Sequence, residues 1–278
     1  MDYLNSDNSG GVPSLDNEPY YTLMLNTIKE TFNNPDILNE RYGYVSLSGN
    51  GKMLVIGSPN NISTENGYVY IYEYDDVNNI WDPNYYVLSD NGNFGIIVDI
   101  DRQSSNYIVI GNSNTNKITI YEKINTNWVT YRDITINEGT IQSASLSGNI
   151  LVVGTDTNTI IYKNENGNLN EIQNYNISAH SVSISGDEDK IVIGDHNRNT
   201  INIFEYTDTW TMIQTFTGET NEQIGWIVKI SYDGYNITYG APFANNNKGL
   251  IRNIMYKTNG IWEQHVNDIT GINDGDKF

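Results

Sequence analysis

The chain of 278 residues has no cysteine, so no disulfide framework holds it and its redox compartment is left open. No apolar run approaches the ~20 residues of a membrane-spanning helix, and membrane insertion is not expected. Positive charge is scarce: 15 Lys and Arg stand against 34 Asp and Glu, a formal net charge of −19. Binding to nucleic acid needs a basic surface, so nucleic acid is not an expected partner, and an anionic membrane is disfavoured on the same ground. The acidity reads chiefly as solubility. Alanine is sparse and helix signals are few. Thr22–Phe32 is the ambiguous segment, and its first half reads better as strand. The opening MDYLNSDNSGGVPSLDNEPYY lacks a basic region and an apolar region, so no signal peptide is expected. The sequons at Asn61, Asn176 and Asn236 therefore read as unmodified.

Motifs of chemistry are missing as well. There is no nucleophile elbow, Walker loop or dinucleotide fingerprint. The three histidines, His180, His196 and His265, share no metal-ligand spacing and have no cysteine to join them. His180 lies beside a candidate strand and His265 in another, and both read as structural or surface residues. His196 sits in DHNRN, which reads as a solvated connection. No catalytic residue, metal or cofactor is expected, and the chain is expected not to be an enzyme.

What is present is a fold-forming pattern. Hydrophobic residues make up 38% of the chain, enough for a core. The polar remainder is rich in Asn, Thr, Ser and Gly, which favour turns. Tyr, at 21 residues, and Ile bias the chain towards strands. A strand ending in glycine recurs five times, at Gly57, Gly111, Gly154, Gly194 and Gly240, with intervals of 54, 43, 40 and 46 residues. That is the spacing of a four-stranded propeller blade. Before each glycine strand comes an alternating segment: YVSLS, IVDID, SASLS, SVSIS and IVKIS. After each comes a third strand, such as YVYIYEY or INIFEY, then a turn and a fourth strand opening at Trp81, Trp128, Leu169, Trp210 or Trp262. The glycine strands MLVI, YIVI, ILVV and KIVI are apolar on both faces, as strands between neighbouring blades must be. Their glycines read as places of close backbone approach.

RYGYVSLSGNGKMLVIGSP, with the GYVYIYEY that follows, resembles the FG-GAP repeat, the blade of integrin-α-like β-propellers. Its aromatic-Gly pair falls at Tyr42-Gly43 and Phe94-Gly95, and is altered to Ile224-Gly225 in the fifth repeat. Its Gly-Ala-Pro falls at Gly240-Ala241-Pro242 and, as Gly-Ser-Pro, at Gly57–Pro59. The resemblance covers about residues 41–268. It implies an all-β propeller of four-stranded antiparallel blades, five recognisable, in a five- or six-bladed ring. Calcium-binding relatives carry several carboxylates in the turn between strands one and two. SGNGK, DRQSSN, SGNI, SGDEDK and SYDGYN here are shorter or lack them, as in the calcium-free type.

The expected layout is a disordered tail over 1–18 and one propeller over 19–278, with repeats at about 41–90, 94–134, 138–176, 177–219 and 223–268. Pro19–Gly43 resembles a fourth strand that straps the ring closed; the alternative reading is an irregular ring or one that needs a partner chain. The loops between strands two and three, with Asn60, Asn61, Asn114, Asp156, Asn197 and Asn246, would share one face of the disc with the loops that join blades. Their amides and hydroxyls suit a protein or a sugar. The function expected first is a non-enzymatic protein-interaction or structural propeller, self-assembly included. Codons for Asn, Ile and Tyr are AT-rich, which points to a viral or similar source and to a virion or the cytoplasm as its place. The alternative is a glycan- or receptor-binding adhesin. Aromatics gathered on the loop face would favour the adhesin, whereas they read as lying mainly within strands. An enzyme with a site in the central channel ranks lowest, because the innermost strands read VSLS, SLS and SIS.

Overall fold

The computed structural model describes residues 43–59, 66–82, 86–258 and 260–277. The tail over 1–18, the segment Thr22–Phe32, the strap over Pro19–Arg41 and Tyr42, and Asn60 and Asn61 lie outside the described residues.

Five antiparallel sheets follow one another along the chain. Blade one holds β1 (Tyr44–Leu47), β2 (Met53–Ser58), β3 (Asn66–Asp75), β4 (Ile80–Trp81) and β5 (Tyr86–Asn91). Blade two holds β6 (Phe94–Ile100), β7 (Tyr107–Asn112), β8 (Lys117–Ile124) and β9 (Asn127–Thr135). Blade three holds β10 (Ile141–Ser147), β11 (Ile150–Thr155), β12 (Thr159–Glu165) and β13 (Asn168–Tyr175). Blade four holds β14 (Ser181–Ile184), β15 (Lys190–Asp195), β16 (Thr200–Tyr206) and β17 (Trp210–Thr217). Blade five holds β18 (Ile227–Ile230), β19 (Asn236–Ala241), β20 (Leu250–Tyr256), β21 (Trp262–Gln264) and β22 (Ile269–Thr270).

Strand order within each sheet is sequential, as a chain of hairpins requires. The fourth strand differs between blades. It is continuous in blades two, three and four, with a register shift opposite Ile120/Tyr121, Ile161/Tyr162 and Ile203/Phe204. Such bulges add twist where the outer strand leaves the disc. In blades one and five the fourth strand is cut in two, as β4 with β5 and β21 with β22. In blade five the cut contains Asp268, whose carboxylate takes Arg252 Nε at 2.7 Å and Nη2 at 2.6 Å.

The core lies between blades. Val55, Val69, Ile71, Phe94, Ile108 and Trp128 join blades one and two. Val109, Ile118, Leu151 and Val153 join two and three. Val152, Ile161, Ile191 and Phe204 join three and four, and Val192, Ile203, Val228 and Tyr239 join four and five. The glycines that close the second strands lie against these seams. A Cβ on Gly57 would fall 2.0 Å from the carbonyl oxygen of Gly95 in the next blade. One on Gly194 would fall 2.3 Å from that of Gly225, and one on Gly154 2.5 Å from that of Ala179. Gly111 and Gly240 instead face the side chains of Ile97 and Ile227, their partners within the blade.

A polar ladder runs through the centre. Ser46 Oγ donates to Asp99 Oδ1 at 2.7 Å and accepts the Ile100 N–H at 3.4 Å. Asp99 Oδ2 accepts the Leu146 N–H at 2.9 Å. Ser145 Oγ accepts the Ile184 N–H at 3.4 Å, and Ser183 Oγ accepts the Ile230 N–H at 3.2 Å. The middle polar residue of the innermost strand in blades one to four thus reaches the backbone of the next blade. This is why those strands alternate Ser or Asp with Val, Leu or Ile. The same alternation corrects the inventory of the innermost strands. They include Asp99 and Lys229, and Asp101 directly follows one of them, with Asp99 and Asp101 buried.

The turns between strands one and two close on themselves. Ser185 Oγ donates to Asp187 Oδ1 and Ser231 Oγ to Asp233 Oδ1, both at 2.5 Å, and the Tyr235 N–H also reaches Asp233. These carboxylates hold their own turns. Among the described residues, no group of three or more His, Asp and Glu is placed to hold a metal ion. No helix there is long and apolar enough to cross a membrane.

Candidate functional site on the loop face

The loops between strands two and three use asparagine for backbone reasons first. Asn116 and Asn199 have φ of 50° and 57°, a left-handed conformation that asparagine tolerates well. Asn116 Nδ2 donates to Ile136 O and Gly139 O, and its Oδ1 accepts the Ile141 N–H. Asn199 Nδ2 donates to Glu219 O, and its Oδ1 accepts the Ile224 N–H. Each therefore ties a loop to the connection that leads into the next blade.

The site residues expected from sequence are distributed around the disc. Asn114 and Asp156 are exposed in the loops of blades two and three. The Asn114 N–H is held by Asn112 Oδ1, and Asp156 Oδ1 accepts the Thr140 N–H at 2.7 Å. Asn197 and Asn246 are exposed in the corresponding loops of blades four and five. Aromatic contacts bring those two loops together.

His196 follows β15, His180 precedes β14, Trp226 precedes β18 and Phe243 follows β19. The His180 and His196 rings meet edge to face, with centroids 3.7 Å apart. Trp226 lies 4.4 Å from His196, 5.6 Å from His180 and 5.7 Å from Phe243. His196 is 8% exposed, and its Nδ1 is buried with no hydrogen-bond partner among the described residues. Trp226 is 42% exposed and presents its indole outward. Burial pushes both imidazoles below their ordinary pKa; for His180 the neighbouring His196 adds to the effect, and Asp195 opposes it for both. Asp195 is itself buried and takes Arg198 Nη1 at 2.9 Å and the Arg198 N–H at 3.1 Å.

Beside this cluster lies a hollow of about 520 Å³ that shares Phe243 with it. Its rim is Glu219–Gln223 on one side and Ala244–Asn247 on the other. Asn221, Gln223, Asn245, Asn246 and Asn247 all have positive φ. Held backbone of this kind gathers at ligand sites more than elsewhere. The C-terminal residues brace one wall: the Gly275 and Lys277 N–H groups donate to Asn247 O, and Lys277 Nζ lies 4.9 Å from the Phe243 ring centre. The surface offers a flat aromatic face, amides, two glutamates and neutral imidazoles. It can stack an apolar face and hydrogen-bond hydroxyls.

Sequence reasoning found no metal-ligand spacing among the histidines and placed the aromatics mainly within strands. The structure brings His180 and His196 together, and Trp226 and Phe243 are exceptions to the second point and stand on the loop face. Their signal was position: both lie just outside a strand, next to Gly225 and Pro242 of the repeat.

No protein-family model matches the chain, and no curated protein does. Solved structures match its fold. A candidate 6-phosphogluconolactonase from Bacteroides fragilis has a TM-score of 0.59 at 14% identity, over 81% of this chain and 70% of that one. Another from Bacteroides uniformis gives 0.57 at 13%, over 82% and 85%. The β-propeller domain of Cps50 (Swd1) from Myceliophteria thermophila gives 0.55 at 13%, over 80% and 68%. The chain is a β-propeller, and likeness at this identity extends to the fold alone.

These neighbours overturn one expectation. The chain was expected not to be an enzyme, yet two proteins of its fold carry an enzyme's name. The exclusion rested on missing linear motifs. A propeller gathers side chains from separate blades, as it does here with His180, His196 and Trp226, so that ground does not hold.

Proposed function

We propose that this propeller is a recognition module whose loop face binds a neutral, polyhydroxylated carbohydrate at Trp226. The observation that carries the proposal is the half-exposed indole, backed by His196 and Phe243, beside a hollow rimmed by amides and carboxylates. The C–H face of a sugar packs on an aromatic ring, while its hydroxyls pair with Asn, Gln and Glu side chains. Glu219 and Glu222 in the rim weigh against acidic sugars. The test is a glycan microarray probed with the wild-type chain and with Trp226→Ala. Neutral glycans should be retained by the wild type and lost by the variant, with acidic glycans bound by neither. Equal profiles for the two proteins would end the proposal.

A second reading, a protein partner or a second copy of the chain, is favoured by blade five. Ile227 and Ile269 are exposed on the side of that blade turned away from blade four, in register through Gly240 and Ile251. Membership of a virion or another large assembly would draw on that side. We also infer that the repeats are of the FG-GAP type, on the strength of Phe94-Gly95, Ile224-Gly225 and Gly240–Pro242.

A further inference from the structure

The innermost strands and the turns after them can be compared blade by blade. The ladder position is Ser46, Asp99, Ser145 and Ser183 in four blades and Lys229 in the fifth. The residue after the turn-opening Ser or Asp is Gly49, Gly148 and Gly186 in three blades, and Arg102 and Tyr232 in the other two. Small residues suit these positions because the centre is crowded. A Cβ on Gly49 would fall 2.1 Å from Arg102 O, and one on Gly186 would fall 2.2 Å from the Tyr232 ring. Three large residues therefore break the repeat, and two of them, Lys229 and Tyr232, are exposed. Positions that break a local rule are where function is expected.

The three departures converge. Lys229, Arg102 and Tyr232 line one hollow of about 400 Å³, together with Asp99 and with Val45, Leu47 and Leu54 of blade one. This volume suits a small organic molecule. Val45 and Leu47 are 62% and 53% exposed, and among the described Val, Leu and Ile residues of the innermost strands only Ile227, at 53%, is as open.

The hollow holds two basic residues and one acidic one in a chain where acidic residues predominate. Among the described residues, Arg102, Arg132, Lys229, Lys257 and Lys277 form no ion pair, and of these Arg102 and Lys229 share one hollow. Arg102 donates Nη1 to Ile230 O at 2.8 Å and Nη2 to Ser183 Oγ at 2.9 Å, both neutral acceptors. A guanidinium carries about five N–H donors, so about three are left over. Asp99, the carboxylate of the hollow, already receives Ser46 Oγ and the Leu146 N–H. Arg102 and Lys229 thus outnumber the one carboxylate of the hollow, and a recess with excess positive charge raises the local concentration of anions.

We propose that this central hollow binds a small amphipathic organic anion. Its carboxylate or phosphate group lies on the Lys229 ammonium and the free N–H groups of Arg102. Its apolar part lies against Val45, Leu47 and Leu54. The site is separate from the loop-face cluster and does not depend on it.

The test is calorimetric titration of the full chain with hexanoate and with inorganic phosphate. Lys229→Gln is the test variant, and Lys257→Gln, altered in the outer part of the same blade, is the control. Lys229 is exposed and bridges nothing, so its variant should fold, which circular dichroism checks. Saturable binding of either anion, weakened at least tenfold by Lys229→Gln and kept by Lys257→Gln, is the expected result. Hexanoate binding alone would assign a carboxylate head, and phosphate binding alone a phosphate head. Binding of neither, or equal binding by Lys229→Gln and wild type, would overturn the proposal.

Discussion

Replacing Asp99 by alanine tests whether the polar ladder holds the blades in register. Asp99 is 3% exposed and joins three blades, through Ser46 Oγ at 2.7 Å and the Leu146 N–H at 2.9 Å. Hydrogen bonds to a charged acceptor contribute about 1.5–3 kcal/mol each, so losing two removes about 3–6 kcal/mol. Relief of the buried carboxylate's own desolvation, on the order of a few kcal/mol, offsets part of that. The Ser46 hydroxyl can turn to another acceptor, whereas the buried Leu146 N–H cannot, and an orphaned donor costs about 1–3 kcal/mol. The net expectation for Asp99→Ala is a loss of about 2–3 kcal/mol. Asp99→Ser should lose only about 1 kcal/mol, because serine spans the same gap in the ladder at Ser145 and Ser183. Urea unfolding followed by fluorescence reads both variants. An Asp99→Ser protein as unstable as Asp99→Ala, or an Asp99→Ala protein within about 0.5 kcal/mol of wild type, would show that the contacts carry no register energy.

Other consequences follow from single contacts. Gly57→Ala should cost about 3 kcal/mol, because its Cβ would meet backbone rather than a movable side chain; a change in urea midpoint no larger than that of an exposed Gly43→Ala would count against the close approach. His180 and His196 are held neutral by burial, while the unfolded chain takes up protons at about pH 6.5. Stability should therefore be full at neutral pH and decline as pH falls below about 6.5, and His196→Gln should flatten that decline in urea midpoints measured from pH 8 to pH 5. The phenols of Tyr107 and Tyr162 are pushed up to about 12, chiefly by burial. Stability tied to them should hold below about pH 10 and be lost as pH rises through about 12, with ultraviolet titration showing part of the tyrosine ionising late.

Much of this fold could be read from the sequence because a blade strand buried on both faces leaves a plain trace. MLVIG, YIVIG, ILVVG and KIVIG are almost wholly apolar, and three of the four end where the next blade presses close, at Gly57, Gly154 and Gly194. The alternation of Ser46 with Val45 and Leu47 was legible too, although its purpose was not. Nothing in one strand reveals that Ser46 meets Asp99 in the next blade. The split fourth strands of blades one and five were hidden for a similar reason. Their aromatic openings at Trp81 and Trp262 match those of the unbroken strands at Trp128 and Trp210.

The loop-face cluster was hidden by distance along the chain. His180, His196, Trp226 and Phe243 belong to two blades, and no spacing links them. His196 in particular reads as a solvated loop residue, yet β15 runs directly into it and carries it under Trp226. The central hollow left a clearer trace. Lys229 stands where the other repeats have Ser or Asp, and Arg102 and Tyr232 stand where they have Gly. Aligning the repeats position by position exposes all three.

The most direct test of the account uses the indole N–H resonances of the five tryptophans as a built-in map. Trp128, Trp210 and Trp262 are buried between or within blades, whereas Trp226 is half exposed on the loop face. The Trp226 signal would be assigned by its loss in Trp226→Phe. Glucose, galactose, mannose and N-acetylglucosamine, with their short neutral oligomers, would then be titrated into the labelled chain. A saturable shift of the Trp226 signal, with those of Trp128, Trp210 and Trp262 unmoved, is the result the account requires. Saturable binding that leaves the Trp226 signal in place, or no shift with any of these sugars, would contradict it.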